Sequence, residues 1–359
     1  MAARQTLEID SATLFHFIFS QLVGSYDTLE NVLTFDYLRH KPVRNLLLLG
    51  KTGHGKSATG NTSLGRSEFE SKASTSSVTS KVKSGRVECK KYLVNIIDSP
   101  GLADTSYNKD VYRETEAVIE NMEEAVKMCQ GDGIHAFLFV VKFGNRFTLE
   151  EQNTLKCFRH IFGHTFLKEH GIIVFTYGDM FEQEMEEAET PEKDFNAWCR
   201  EQKGALSELV KECSYRCVLF NNKQKDKQQK QKQMENVMSL AEKLGEPYSF
   251  FDFQNHKPLR DKLVLEQKAP QLITFYHNAI SNLYIEIERN YSTGRETLIE
   301  LERVEQQLAS VEFRIKVEDQ NTGILNKVKK EVSHARFRLK VKQAEASLLA
   351  ESESSCSIC

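Results

Sequence analysis

The residues whose types and spacing point most directly to chemistry are Gly50-Lys51-Thr52-Gly53-His54-Gly55-Lys56-Ser57, which satisfy G-x-x-x-x-G-K-[ST] in full. Glycines so placed let the backbone turn tightly, so that successive N–H groups point at phosphate oxygens, and a following helix adds the positive end of its dipole. On this reading residues 50–58, closing with Ala58, cradle a nucleotide's phosphates. Lys56 reaches the β and γ phosphates, and Ser57 ligates Mg2+. A chance match in a turn is the competing reading; the strand pattern before the motif and the helix pattern after it oppose that reading. Downstream, Asn95-Ile96-Ile97-Asp98-Ser99-Pro100-Gly101 ends an apolar run on an aspartate and then turns at a glycine. This D-x-x-G places Asp98 to hold Mg2+ through water and the Gly101 N–H to sense a γ phosphate; a plain strand-ending turn is the alternative.

Between the motifs, residues 74–80 are polar and hydroxyl-rich, as a switch loop would be, and Thr79 is the candidate to meet Mg2+ and the γ phosphate. Five other hydroxyl residues share that stretch, so spacing alone does not choose among them. The candidate catalytic set is therefore Lys56, Ser57 and Thr79, and the candidate metal set Ser57, Thr79 and Asp98. For the base, an apolar run at 172–175 leads into Thr176-Tyr177-Gly178-Asp179. The Asp179 carboxylate can accept both the N1–H and the 2-amino protons of guanine, a donor pair that adenine lacks. A helix N-cap is the other reading of Asp179. Asn221 and Asn222, after a further apolar run, would bring a backbone or amide group to the base from the opposite side.

These residues need a scaffold, and the sequence supplies the pattern of one. From Arg44 onward short apolar runs at 45–49, 93–97, 136–141, 172–175 and 217–220 alternate with longer helical stretches, with an edge strand near 82–89. That alternation predicts an α/β domain with a mostly parallel central sheet flanked by helices. Val118, Ile119, Met122, Ala125, Val126 and Cys129 recur on one helical face that would cover the sheet. Residues 223–233, rich in lysine and glutamine, read as a solvated loop running into a helix at 237–244. Past residue 280 two apolar seams, Leu301/Val304/Leu308/Val311/Ile315 and Leu325/Val328/Val332/Ala335/Leu339, predict helices that pack back on the body or form a short coiled coil. The expected divisions are an N-terminal lead-in of unassigned role at 1–43, a nucleotide-binding domain at 44–250, a helical extension at 251–349 and a flexible tail at 350–359.

Composition narrows the field further. An apolar fraction of 40% excludes wholesale disorder, and a formal charge of −3 gives no global reason to bind nucleic acid. No apolar run approaches the ~18 to 20 residues that span a bilayer, and the N-terminus lacks the features of a secretory signal, so a cytoplasmic protein is expected. The eight scattered cysteines suggest reduced thiols rather than a disulfide framework.

Taken together, the motifs resemble those of the immunity-associated nucleotide-binding GTPases, relatives of septins and chloroplast import GTPases. The stretches that carry the resemblance are GKTGHGKSATGNTSLG at 50–65, IDSPGLADT at 97–105 and FGNRFTLEEQNTLKCFRHIFG at 143–163, with FTYGD at 175–179 and RCVLFNN at 216–222. It covers roughly residues 44–250. The resemblance implies a Ras-like sheet with extra helices, GTP/GDP and Mg2+ as ligands, GTP-dependent homo- or hetero-oligomerisation across the nucleotide face, and association with intracellular membranes. Departures bear on the site. His54 takes a P-loop position where the family commonly has a small residue and is expected to face solvent. Tyr177 and Gly178 replace the lysine and variable residue usual beside the base. Leu102 follows Gly101 where Ras-type enzymes carry a glutamine that orients water, which predicts slow hydrolysis; Asp104, Thr105 and Arg113 are nearby polar groups that could help in cis or in trans, and a place on a surface loop explains them equally well.

At the other end, residues 327–342 hold seven Lys/Arg against one Glu, and the chain finishes Cys356-Ser357-Ile358-Cys359. A basic helix and a lipidated Cys356 or Cys359 would together suffice for attachment to the cytosolic face of an intracellular membrane; an exposed helix face explains the lysines equally well. The sequence thus predicts a guanine-nucleotide switch with slow hydrolysis and GTP-dependent assembly. A non-hydrolysing GTP-bound scaffold is the main alternative, and a P-loop kinase or ATPase the third.

Overall fold

Each expected apolar run forms a strand in the structure, a computed structural model that describes residues 41–71, 81–101, 111–129, 131–187, 194–289 and 292–356. The strands are β1 (Val43–Leu49), β2 (Lys83–Glu88), β3 (Leu93–Asp98), β4 (Ala136–Lys142), β5 (Gly171–Thr176) and β6 (Cys217–Leu219). They lie in the order β2-β3-β1-β4-β5-β6, with only the edge strand β2 antiparallel to its neighbour. Helices in the same region are α1 (Lys56–Leu64), α2 (Val111–Lys127), α3 (Leu149–Phe162), α4 (Phe166–His170), α5 (Gly178–Glu187), α6 (Phe195–Glu201), α7 (Gly204–Glu212) and α8 (Lys227–Ala241).

Alternate residues of the central strands serve two separate cores. Leu47, Leu49, Ile97, Phe137, Phe139 and Phe175 face α2 and α3, whereas Leu46, Leu48, Ile96, Leu138 and Val174 face α1 and α8. Burial on both faces is why β1, β4 and β5 read as continuous apolar runs instead of alternating ones. The sheet therefore presents its parallel strand ends at one edge, and β1, flanked by β3 and β4, ends where the connections diverge to opposite sides. That is where parallel α/β sheets place ligands.

The helices depart from expectation in places. The polar stretch 223–233 is helical from Lys227 onward, because the Asp226 carboxylate accepts from the Gln228 N–H to cap α8, and Met234, Val237 and Met238 anchor it to the sheet. Lysine and glutamine are good helix formers, so a polar surface face did not require a loop. Its last helical residue is Ala241, short of the end expected at 244.

Beyond the sheet come α9 (Phe250–Asn255), α10 (Lys257–Glu288), α11 (Gly294–Asp319) and α12 (Asn326–Cys356). The first part of α10 packs on α2 and α3, and the remainder joins α11 and α12. Both predicted seams are buried against each other and against Tyr276, Ile280, Leu283 and Ile287 of α10, giving a three-helix bundle within one chain. Helix α12 continues to Cys356, into the stretch expected as a tail. Of the basic run on α12, Lys329 pairs with Asp319, Arg336 with Glu312, Arg338 with Glu288 and Lys342 with Glu345. No described helix is long and apolar enough to cross a membrane. The cysteines at 89, 129, 157, 199, 213 and 217 are free thiols, as expected.

Candidate nucleotide site

The segment from Gly50 to Gly55 leaves the end of β1 as a tight loop, and α1 begins at Lys56. Gly50 passes so close to β4 that a Cβ there would stand 2.6 Å from the Val140 carbonyl oxygen. Gly55, with φ of 90°, occupies the left-handed region just ahead of α1. The β1–β3 register sets Leu48 opposite Asp98, which brings the first motif and the second to the same place. There the Ser57 hydroxyl donates to Asp98 Oδ2 at 2.7 Å, while Asp98 Oδ1 is buried without a hydrogen-bond partner. Burial pushes the Asp98 carboxyl up from its ordinary range, opposed by the Ser57 hydrogen bond and by Lys56. Lys56 is itself buried, and burial pulls its ammonium down to about 8 against the attraction of Asp98. Its Nζ donates to the Lys51 carbonyl at 3.0 Å. A Cβ at Gly101 would lie 2.6 Å from that Nζ, so only glycine lets the chain come this near.

The donor set fits Mg2+ bound with a polyphosphate. It consists of one hydroxyl, one carboxylate with an unused oxygen, and a neighbouring ammonium suited to anions, which leaves the remaining hard-oxygen positions to phosphate and water. Thr79, Leu102, Asp104 and Thr105 lie outside the described residues, as do the side chain of Arg113 and all of Cys359; Cys356 ends α12 without a described side chain.

His54 does not face solvent. It is 8% exposed, with Nε2 3.6 Å from Glu151 Oε1. Burial lowers its pKa, Glu151 raises it again, and Lys56 lowers it further. Its environment comes from α3, whose N-terminus is closed by Glu151 accepting from the Thr148 N–H at 2.6 Å and from the Thr148 hydroxyl at 3.0 Å. Next to it Glu150 pairs with Lys51. The stretch 143–163 therefore grips the P-loop through adjacent acidic residues. The T-x-x-E signature of a capping box was visible in the sequence; that Glu151 also meets His54 depended on tertiary placement.

At the end of β5, Thr176 is fully buried and its hydroxyl donates to the His54 carbonyl at 2.9 Å, so it fastens the P-loop to the base-side strand. Asp179 lies in the first turn of α5 rather than at its N-cap, and Lys223 Nζ stands 2.7 Å from its Oδ2 on the exposed side. Tyr177 adopts φ of 63°, and Lys142 Nζ lies 4.6 Å from the centre of its ring. The Asn222 amide donates to the Thr59 hydroxyl at 3.1 Å and its carbonyl accepts from Thr62 at 2.9 Å. Asn221 accepts from the Lys223 N–H at 3.0 Å and its own N–H donates to Gln233 at 2.7 Å. Asn222 thus braces α1, while Asn221 shapes the loop and ties it to α8. Lys142, Lys223 and Gln233 are participants that sequence spacing did not single out.

Residues 44–264 match the AIG1 family. The chain belongs to the AIG1 family. Its Arabidopsis thaliana relatives include immune-associated nucleotide-binding protein 9, 35% identical over 283 residues and covering 74% of this chain and 78% of that one. Immune-associated nucleotide-binding protein 7 is 34% identical over 229 residues, covering 62% and 69%. Among solved structures, Toc33 from Arabidopsis thaliana in complex with GDP and Mg2+ overlaps 60% of this chain and 90% of its own at 16% identity and a TM-score of 0.39. The AIG1 match begins at Arg44, within β1, and ends in α10, so it spans the six-stranded sheet with its flanking helices and the first part of the helical extension.

Proposed function

We propose that this AIG1-family protein is a guanine-nucleotide switch that binds GTP and GDP with Mg2+, hydrolyses GTP slowly and self-associates in its GTP form. The observation that carries the reading is the convergence, at one edge of the sheet, of Lys56, the Ser57–Asp98 pair with its unused carboxylate oxygen, and Asp179. Backbone N–H groups of residues 51–57 and the Lys56 ammonium hold the phosphates. Ser57 and Asp98 are the residues that would hold Mg2+, which would supply charge neutralisation to the phosphates. Asp179 selects guanine by accepting from its two donors, with Lys223 on the outer oxygen orienting the carboxylate. For hydrolysis the chain stabilises the γ phosphate through Lys56 and the Gly101 N–H. Leu102 offers no group to orient the attacking water, which is the reason slow turnover belongs to the proposal.

Competition of GTP, ATP and xanthosine triphosphate against a fluorescent GDP tests base selection. Wild type should prefer GTP over ATP by at least about a hundredfold, and Asp179→Asn should lose GTP affinity and gain affinity for the xanthine nucleotide. Equal competition by ATP would overturn the guanine assignment. Single-turnover hydrolysis at low and high protein concentration separates an assembly-stimulated enzyme, whose rate constant rises with concentration, from a non-hydrolysing scaffold, which turns over at neither. The same reading places the protein in the cytoplasm, at a membrane surface through α12 and a lipid on Cys356. Mass spectrometry of protein from its native cells showing unmodified Cys356 would remove the membrane part.

A further inference from the structure

One buried polar atom at the P-loop is used neither by the fold nor by the roles assigned above. The Thr52 hydroxyl is shielded from solvent and has no hydrogen-bond partner. Buried hydroxyls are almost always hydrogen-bonded, so one left over at a binding loop points to a ligand atom that completes it. Its surroundings specify which atom. A Cβ built on Gly101 would lie 2.5 Å from Thr52 Oγ1, 2.6 Å from Lys56 Nζ and 2.7 Å from the Thr52 backbone nitrogen. Three donors, a hydroxyl, an ammonium and an N–H, therefore crowd one side of the Gly101 backbone. Gly101 is the glycine of the D-x-x-G that the proposed function sets at the γ phosphate, so on that reading the group these donors face is the terminal phosphate and not the α or β phosphate held along the loop.

Resting on the guanine-nucleotide reading, we infer that the Thr52 hydroxyl donates to a γ-phosphate oxygen and is the residue by which this P-loop distinguishes a nucleoside triphosphate from a diphosphate. The proposal explains why a side chain with a hydroxyl stands at the closest approach of Gly101, where a glycine or alanine would leave the γ end of the loop without that donor. It also separates Thr52 from Lys56 and Ser57. Those two serve phosphate and metal in both nucleotide states, whereas Thr52 has a partner only when the third phosphate is present. Because donation to the terminal phosphate exists in one state alone, its loss should fall on one ligand alone.

The test is a titration of the full chain in Mg2+ with a fluorescent, slowly hydrolysed GTP analogue and with fluorescent GDP, for wild type, Thr52→Ser and Thr52→Val. Valine keeps the shape and removes the hydroxyl, so packing of the loop is preserved. Thr52→Val should weaken the triphosphate analogue by about ten- to thirtyfold and leave GDP within about twofold. Thr52→Ser should stay within about threefold of wild type for both. An unchanged triphosphate-to-diphosphate ratio in Thr52→Val, whether both affinities hold or both fall together, would overturn the inference while leaving the guanine-nucleotide reading in place. A wild type that binds neither nucleotide would defeat that reading and this inference with it.

Discussion

Lys56 sits with its ammonium buried beside Asp98, and burial brings its pKa to about 8 before any phosphate arrives. Phosphate binding requires the charged form, so nucleotide affinity should be level below about pH 7.5 and fall as pH rises past 8, approaching tenfold per unit. Lys56→Arg, which cannot lose its proton in this range, should remove the decline even where it weakens binding. Titration of GDP affinity between pH 7 and 9.5 is the check. His54 titrates with the opposite consequence. Burial keeps its folded pKa below 6.5 despite Glu151, so the unfolded chain takes up the proton first. Stability should therefore fall as pH drops below about 6.5, and His54→Gln should lose that dependence; melting curves at pH 7.5 and 5.5 measure it. The placement of Lys56, Ser57, Asp98 and Asp179 at the strand ends was legible in the sequence, because each stands at a fixed spacing next to an apolar run. His54 was not, because its burial is imposed by α3, nearly a hundred residues further along the chain.

Among the elements, the strands were legible and one helix was not, for reasons tied to periodicity. β1 and β5 are buried on both faces and short, so uninterrupted apolar runs identified them. α8 carries its apolar contacts only in its second half, and its lysine-rich first turns looked like a loop. The α11–α12 connection is held by Asp319. Its carboxylate is fully buried and accepts from the N–H groups of Gly323 and Leu325, from Thr322 and from Lys329. Burial alone would raise its pKa, but these donors hold it at about 2. The stability this carboxylate contributes is present above pH ~4 and is lost as pH falls through about 2, and it amounts to roughly 2 kcal/mol. Asp319→Asn should lower the unfolding free energy at pH 7 by at least that amount and flatten the acid limb, as read by denaturant titration at pH 7 and pH 3.

Across the whole molecule, the nucleotide domain and the helical extension are joined through α10. Arg260, 5% exposed, donates to the Ile161 carbonyl at 3.2 Å and the Phe253 carbonyl at 2.6 Å, and lies 3.7 Å over the Phe253 ring. Arg260→Ala strands two buried carbonyls and should cost roughly 2 to 3 kcal/mol, seen as an early transition in thermal unfolding. Further along α10, Lys268 reaches Glu116 of α2 at 2.7 Å, so the extension touches the helix that follows the second motif. That a helical extension exists was legible from its seams; that the seams close on α10 within one chain was not, since an apolar heptad face does not state its partner.

Mass in solution measured during nucleotide titration tests whether bound GTP changes how this chain associates. With Mg2+ present, GTP but not GDP should convert wild type from monomer to dimer or larger, and Lys56→Ala should remain monomeric with either nucleotide. A wild type that binds GTP while its mass stays that of one chain at every concentration would contradict the account and leave a nucleotide-binding monomer in its place.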